Sequence, residues 1–175
     1  MKELIIGLII IFIYFLITYN SFIQKRNRVR QAKSGIDVYL TQRFDLIPNL
    51  VECVKGYIKY EKTVFVEITQ ARERYLKDKN LKEGGELNDK FNQLIATAED
   101  NPNLKANEQF SKLDKTLSKI ESQLQAARRI YNTEVNIYNN SIQMFPNNII
   151  ANLLNFKEEE YFQAEVEAKD NIKIK

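Results

Sequence analysis

The sequence predicts an all-α protein in which one N-terminal transmembrane helix is followed by an antiparallel bundle of three to four long helices. Three observations lead to this prediction. An uncharged apolar run opens the chain, apolar residues then recur at helical spacing, and turn formers are scarce, with 5 Gly and 3 Pro in 175 residues. An all-β fold would need a turn about every 8–12 residues.

Residues 4–23 form the predicted membrane anchor, preceded by a short terminus over residues 1–3. The run LIIGLIIIFIYFLITYNSFI carries no charge, and helix of this length spans the roughly 30 Å of a bilayer core. A cleaved signal peptide has a shorter apolar run and a small-residue cleavage site, whereas this run leads into QKRNRVR. A buried core helix would show a polar face. We therefore expect a retained, single-pass anchor.

A basic juxtamembrane stalk over residues 24–34 indicates the orientation. Its five cationic residues are Lys25, Arg26, Arg28, Arg30 and Lys33, whereas only Lys2 precedes the apolar run. Because Lys and Arg resist translocation, we expect the N-terminus outside the cell membrane and the bundle in the cytoplasm. The same five side chains are expected to contact anionic lipid headgroups. The rest of the chain is slightly acidic, so nucleic acid is not an expected partner.

The bundle is predicted over residues 35–168, before a C-terminal tail over residues 169–175. One apolar line at helical spacing predicts a first long helix over residues 36–74; it comprises Ile36, Leu40, Phe44, Ile47, Val51, Val54, Ile58, Phe65 and Ile68. The run ends in KDKNLKEGGE, residues 77–86, where Gly84 and Gly85 predict a loop. A shorter helix follows over residues 86–99 and ends at the turn sequence DNPN, residues 100–103.

The longest apolar stripe predicts a helix from Asn107 to Phe145. Its members are Phe110, Leu113, Leu117, Ile120, Leu124, Ala127, Tyr131, Val135, Tyr138, Ile142 and Phe145. A long helix in water needs a partner for such a stripe, so we expect it to pair antiparallel with the 36–74 helix. Pro146 ends the helix, and the apolar residues at 149–154 are expected to close one end of the bundle.

The absence of histidine excludes several kinds of chemistry. With no His in the sequence, there can be no Ser-His or Cys-His nucleophile pair and no His-containing zinc or di-iron site. Cys53 is the single cysteine, which suits a reducing compartment. We therefore expect that the protein is not an enzyme and that it has no catalytic residue, no metal and no cofactor.

Pro48 within DLIPNL interrupts a helical pattern and marks the candidate partner surface. Either Asp45 caps a new helix that carries Pro48 in its first turn, or a continuous helix is kinked. In the functional interpretation, the Phe44 carbonyl lacks its helical donor and is open to a partner. Asp45, Asn49 and Glu52 share one helical face and would form the docking surface.

Two Tyr-Asn pairs, Tyr131-Asn132 and Tyr138-Asn139, lie one heptad apart. The tyrosines fall on the apolar stripe, where packing with a hydroxyl partner is expected. We expect the asparagines to be solvated, and Arg128 and Arg129 to pair with glutamates or bind an anion. The EEE triplet at 158–160 predicts a helix beginning at Tyr161.

The chain resembles the LemA family. The matching stretches are IDVYLTQRFDLIPNLVECVKGYIKYEK, ITQAR, NPNLKANEQFSKL, ARRIYNTEVNIYN and FPNNIIANLLNFKEEEYF. The resemblance implies a short exterior N-terminus, one membrane span and a cytoplasmic helical bundle, in a family without an established biochemical activity. Tyr60 stands where family members usually carry His, so histidine chemistry proposed for relatives would not apply here.

Three functions from different classes follow from these patterns. An anchored bundle without a catalytic grouping favours a scaffold or adaptor for another protein. Helix shifts near Pro48 would suit a membrane sensor or signalling module, although the predicted exterior is very short. The basic stalk and residues 149–154 suggest a lipid-binding or membrane-shaping protein. The expected partners are the membrane and a second protein, with a homo-oligomer left open.

The orientation can be tested with reporters fused after Lys175. A reporter that is active only outside the cytoplasm is expected to be inactive, and a cytoplasmic reporter active. Replacing the five cationic stalk residues by Gln should weaken or invert this preference. The reverse pattern in the unmodified chain would overturn the predicted orientation.

Overall fold

The structure, a computed structural model, describes residues 1–55, 57 and 62–162 and contains helices but no strand within them. In chain order the helices are α1 (Lys2–Phe44), α2 (Ile47–Val54), α3 (Lys62–Asp78), α4 (Leu81–Glu99), α5 (Pro102–Lys105), α6 (Glu108–Gln143) and α7 (Asn147–Leu153). The predicted all-α fold class is confirmed. Ile58, Tyr60 and the predicted 169–175 tail lie outside the described residues.

The chain divides into two compact units. The first unit combines Met1–Lys33 with Arg128–Lys175, and the second unit is Ser34–Ala127. The predicted boundaries after residues 23 and 34 both fall inside the single helix α1.

The second unit has the apolar core that the sequence pattern predicts, on shorter helices than expected. All the described members of the first apolar line are buried, as are Leu87, Phe91, Leu94 and Ala98. Residues 36–74 do not form one long helix, because α1 ends at Phe44 and a tight turn precedes α2. Of the two alternatives at Pro48, the new helix is confirmed and the kinked continuous helix is wrong. The Leu46 amide donates to the Arg43 carbonyl at 3.1 Å in this turn. Pro48 then lies in the first turn of α2, where a missing N–H is tolerated.

A buried arginine joins three helices of the second unit. Arg43 on α1 is only 3% exposed. Its guanidinium donates to the side-chain carbonyls of Asn88 and Asn92 on α4 and forms an ion pair with Glu121 on α6. It also lies 5.6 Å from the ring centre of Phe91. The planar fork of donors thus satisfies acceptors on two neighbouring helices at once.

The predicted loop over residues 77–86 is confirmed only at Lys79 and Asn80, and its assignment to Gly84 and Gly85 is wrong because both glycines belong to α4. The connection from α3 is instead made by Lys79, whose φ of 50° is the left-handed conformation that commonly ends a helix. Gly84 is buried against the Tyr75 ring and Leu40. Close packing of α4 on α3 therefore explains why position 84 is glycine, although glycine has a low helix propensity.

Asparagine caps organise the start of α6. The side-chain oxygen of Asn101 accepts from the Asn103 and Leu104 amides and so caps α5. Asn107 likewise accepts from the Gln109 amide at 2.9 Å, at the first turn of α6. The predicted turn at DNPN and the predicted helix start near Asn107 are confirmed. The apolar stripe of α6 is buried from Phe110 to Ile142.

The first unit contains the apolar N-terminal part of α1. This part of α1 is long enough and apolar enough to cross a membrane. An 18-residue window of it has a mean hydropathy of 2.2, and 6% of that window is buried. In α7, Ile150 and Ala151 are buried but Ile149 and Leu153 are exposed. The prediction that residues 149–154 close the bundle therefore holds for only one face of α7.

Two adjacent glycines provide a test of the α3–α4 packing. A Cβ at Gly84 would lie 2.7 Å from Cε2 of the buried Tyr75, whereas a Cβ at Gly85 has no atom within 4 Å. We expect Gly84→Ala to lower the free energy of unfolding by about 1–3 kcal/mol through overpacking. Gly85→Ala should raise it by up to about 1 kcal/mol through helix propensity.

Urea unfolding followed by circular dichroism measures both glycine variants. Equal effects of the two substitutions would show that the contact between Gly84 and Tyr75 does not constrain the packing.

Candidate functional site

The second half of α6 holds an extended segment of the chain, residues 157–162, which we call the strap. Asn139 donates from Nδ2 to the Glu159 carbonyl and accepts from the Glu159 amide, both at 2.9 Å. Asn132 makes the same pair of bonds with Phe162, at 3.0 and 2.8 Å. Each asparagine amide therefore satisfies both main-chain polar groups of one strap residue.

The tyrosines beside these asparagines bind the strap as well. The Tyr138 hydroxyl donates to the Lys157 carbonyl at 2.9 Å, and the Tyr131 hydroxyl donates to the Glu160 carbonyl at 2.8 Å. The pKa of both tyrosine hydroxyls is raised, mainly because the hydroxyls are buried. Each hydroxyl therefore keeps its proton and remains a donor at neutral pH. We call these four side chains the Tyr-Asn ladder.

The spacing of the ladder matches the geometry of an extended chain. Seven residues of helix rise about 10.5 Å, and three residues of extended chain cover about 10 Å. The ladder repeats after seven residues on α6, and its acceptors repeat after three residues on the strap, from Lys157 to Glu160 and from Glu159 to Phe162. One Tyr-Asn pair per heptad thus stays in register with the strap.

The ladder corrects two predictions. Asn132 and Asn139 are not solvated, and Asn139 is buried. Residues Glu158–Phe162 are not helical, so the predicted helix does not begin at Tyr161, and its remaining residues lie outside the described part of the chain. The Tyr-Asn repeat one heptad apart was the signal in the sequence, but its partner lies 19 to 30 residues away.

Aromatic rings just before the strap and at its last residue make further contacts within the first unit. Phe156 packs edge-on against Phe22, with ring centres 5.2 Å apart, and lies 5.4 Å from the Arg26 guanidinium. At the other end, the Arg128 guanidinium lies 4.7 Å from the ring centre of Phe162. Arg128 therefore has a cation–π contact with the last residue of the strap, and its predicted pairing with a glutamate or an anion stays a prediction.

The cationic stalk residues differ in their surroundings. Arg26 is half-buried beside Phe156, and Lys25 donates to the Ser21 hydroxyl at 3.0 Å. Arg28, Arg30 and Lys33 are exposed. Contact of these residues with lipid headgroups stays a prediction.

The candidate partner surface forms one wall of a groove in the second unit. The groove has a volume of about 470 Å³ and lies between α2 and the start of α6. Its lining residues are Leu46, Asn49, Glu52 and Cys53 on one side and Gln109, Lys112, Leu113 and Thr116 on the other. We call it the α2–α6 groove. Two of the three predicted surface residues, Asn49 and Glu52, lie in it.

Asp45 has a different environment from the other two. It pairs with Arg72 of α3, with Oδ1 2.8 Å from Nη2. Arg72 also donates from Nε to the Phe44 carbonyl at 2.8 Å. The expected vacant acceptor at Phe44 is therefore occupied by the chain itself. Asp45 is also not the cap of α2, whose N-cap position is Leu46 without a side-chain hydrogen bond.

Cys53 lies half-buried in the α2–α6 groove. Burial raises the pKa of its thiol, and the negative charge of Glu52 raises it further. The thiol is therefore protonated and a weak nucleophile at neutral pH. Among the described residues, no group of three or more Cys, Asp or Glu side chains is placed to hold a metal ion.

These features define a class of helical protein with an apolar N-terminal helix, a groove beside a broken helix, and an extended segment held by asparagine and tyrosine side chains. The chain belongs to the LemA family, whose family model matches residues 32–175. No curated protein matches the chain by sequence.

The ladder can be tested by comparing two neighbouring asparagines. Asn139→Ala removes two hydrogen bonds and leaves the main-chain groups of Glu159 without their side-chain partner, so we expect a loss of about 1–3 kcal/mol of stability. Asn140→Ala is the matched control, because the exposed Asn140 side chain bonds only to the Asn136 side chain within the described part of the chain. Its effect should stay within about 0.5 kcal/mol.

The measurement is urea unfolding of the full chain in detergent. Limited proteolysis provides a second readout, since cleavage within the strap should become faster in Asn139→Ala alone. Equal stability and equal cleavage rates of the two variants would contradict the role of the ladder.

Proposed function

We propose that this LemA-family protein is a membrane-anchored adaptor. In this proposal α1 holds the chain in the cell membrane, the helical bundle faces the cytoplasm, and the α2–α6 groove binds a segment of another protein. The proposal assigns no catalytic role to any residue.

The α2–α6 groove is the observation that carries the proposal. Asn49 and Glu52 are exposed in its wall, and within the described part of the chain neither side chain has a hydrogen bond or an ion pair. Leu46 and Leu113 supply apolar surface to the same groove. Apolar surface with a few unpaired polar groups is typical of a recognition site.

The charges of the groove favour a partner segment that brings hydrogen-bond donors. Glu52 has no ion-pair partner among the described residues, whereas Lys112 on the opposite wall is paired with Glu108, with Nζ 2.8 Å from Oε1. Because the lysine is already compensated, the carboxylate of Glu52 is the free charge for a partner to meet. A lysine, an arginine or main-chain amides would suit it.

The exposure of the N-terminal part of α1 supports the anchor. Its large apolar side chains from Leu4 to Ile17 are exposed, apart from the half-buried Phe15. A soluble core helix would bury such residues, and a run of this length and composition suits a bilayer.

The single cysteine makes a direct test possible. A photoactivatable crosslinker attached to Cys53 places the reactive group inside the groove, and irradiation in native membranes should yield one dominant adduct. The double variant Asn49→Ala with Glu52→Ala keeps Cys53 and should lose that adduct, while its stability changes by no more than about 0.5 kcal/mol because both residues are exposed.

The matched control is Gln70→Ala with Glu73→Ala, an exposed amide and carboxylate three positions apart on α3. This control should retain the full yield of adduct. Undiminished crosslinking in the Asn49/Glu52 variant would contradict binding at the groove.

A further inference from the structure

The turn after α6 and one face of α7 expose apolar side chains that the rest of the chain does not cover within the described residues. In residues 144–154, which we call the tip, the exposed fractions are 64% for Met144, 80% for Phe145, 60% for Ile149 and 75% for Leu153. Ile149 and Leu153 are four positions apart, so they share one face of α7. In contrast to this exposed face, Ile150 and Ala151 of the same helix are buried.

The sequence around the tip carries no charge. From Val135 to Phe156 there is no Asp, Glu, Lys or Arg, although charged residues make up 28% of the chain. A solvated helical turn would normally carry charges on its outer side. The absence of charge is compatible with an environment that contains little water.

The tip lies beside the apolar part of α1 within the first unit. The Tyr14 hydroxyl donates to Oδ1 of Asn147 at 2.7 Å, which places the start of α7 against the apolar run. Just after the tip, Phe156 packs against Phe22 and lies 6.1 Å from the ring centre of Tyr19. The tip therefore lies next to the part of α1 that exposes large apolar side chains.

We propose that the tip inserts into the cytoplasmic leaflet of the lipid bilayer beside α1, as a second membrane contact of the protein. This inference rests on the proposed membrane anchor. If α1 crosses the bilayer, the contact at Tyr14 brings the tip into the same layer of acyl chains. Its exposed apolar residues then meet lipid, as in interfacial helices that bury one apolar face.

One polar contact of the tip is compatible with this position. The Tyr14 hydroxyl donates to the side-chain oxygen of Asn147, which lowers the cost of placing these two groups at membrane depth. The cationic residues Arg28, Arg30 and Lys33 follow along α1 and are exposed, as expected for the adjoining headgroup layer.

The chain contains no Trp, so a single introduced tryptophan reports its own surroundings. We would place it in the tip (Phe145→Trp), in the apolar run (Ile9→Trp) or at an exposed position on α6 (Ile130→Trp). Ile130 is apolar and exposed as well, but it lies thirteen residues before the end of α6 at Gln143, roughly 20 Å of helix away from the tip. Each full-length variant is reconstituted into phosphatidylcholine vesicles with and without bromine on the acyl chains.

The proposal expects at least a twofold loss of emission from brominated lipid in Phe145→Trp and Ile9→Trp, and little loss in Ile130→Trp. Quenching of Ile9→Trp alone would overturn the insertion of the tip while leaving the anchor intact. Quenching of neither would instead remove the proposed anchor. Leu153→Trp is a second reporter in the tip, should Phe145→Trp lose its helical circular dichroism spectrum.

The emission spectra show whether lipid or a second copy of the chain covers the apolar surface of the tip. Emission of Phe145→Trp that shifts to the blue as the protein-to-lipid ratio rises, without bromine quenching, would overturn the proposal in favour of a contact between copies.

Discussion

The positive charge of Arg43 must be compensated inside the second unit, and this requirement fixes how three of its helices meet. Apolar stripes are tolerant partners, because hydrophobic contact has no preferred direction. Hydrogen bonds are directional, and the Arg43 guanidinium finds its acceptors on α4 and α6 at Asn88, Asn92 and Glu121. A shift of either helix by one turn would leave a buried charge without partners, which costs far more than a rearranged apolar contact. The α2–α6 groove begins a few residues beyond this cluster, so the contacts of Arg43 also determine where its two walls lie.

The first unit depends on a different constraint, the match between a helical heptad and three residues of extended chain. The Tyr-Asn ladder fixes the path of the strap, and the path of the strap determines where Phe156 meets Phe22. That contact and the bond between Tyr14 and Asn147 hold α7 against α1. Directional polar contacts thus determine the position of the tip as well, although the tip itself is mostly apolar.

Periodicity in the sequence was sufficient to predict the all-α fold class, the buried stripe of α6 and the turn at DNPN, since each depends on neighbours within a few positions. Prediction failed where a distant residue decides the outcome. Gly84 was expected in a loop because glycine weakens a helix, but Tyr75 occupies the space that a larger side chain would need. Asp45 was expected to be free or to act as a cap, whereas Arg72, 27 residues away, pairs with it. Asn49 and Glu52 were correctly placed on a polar face, but the opposite wall of their groove comes from α6, which no local pattern indicates.

The ladder recognises the strap through its main chain, and this has a consequence for sequence variation. Hydrogen bonds to the amide and carbonyl of Glu159 and to the carbonyl of Glu160 are the same whatever side chains these residues carry. Either glutamate is therefore replaceable by almost any other amino acid without loss of attachment. Proline at position 159 is the exception, because it has no N–H to donate. Among natural variants, we expect diversity in the side chains of the strap to coexist with strict retention of the asparagines that hold it.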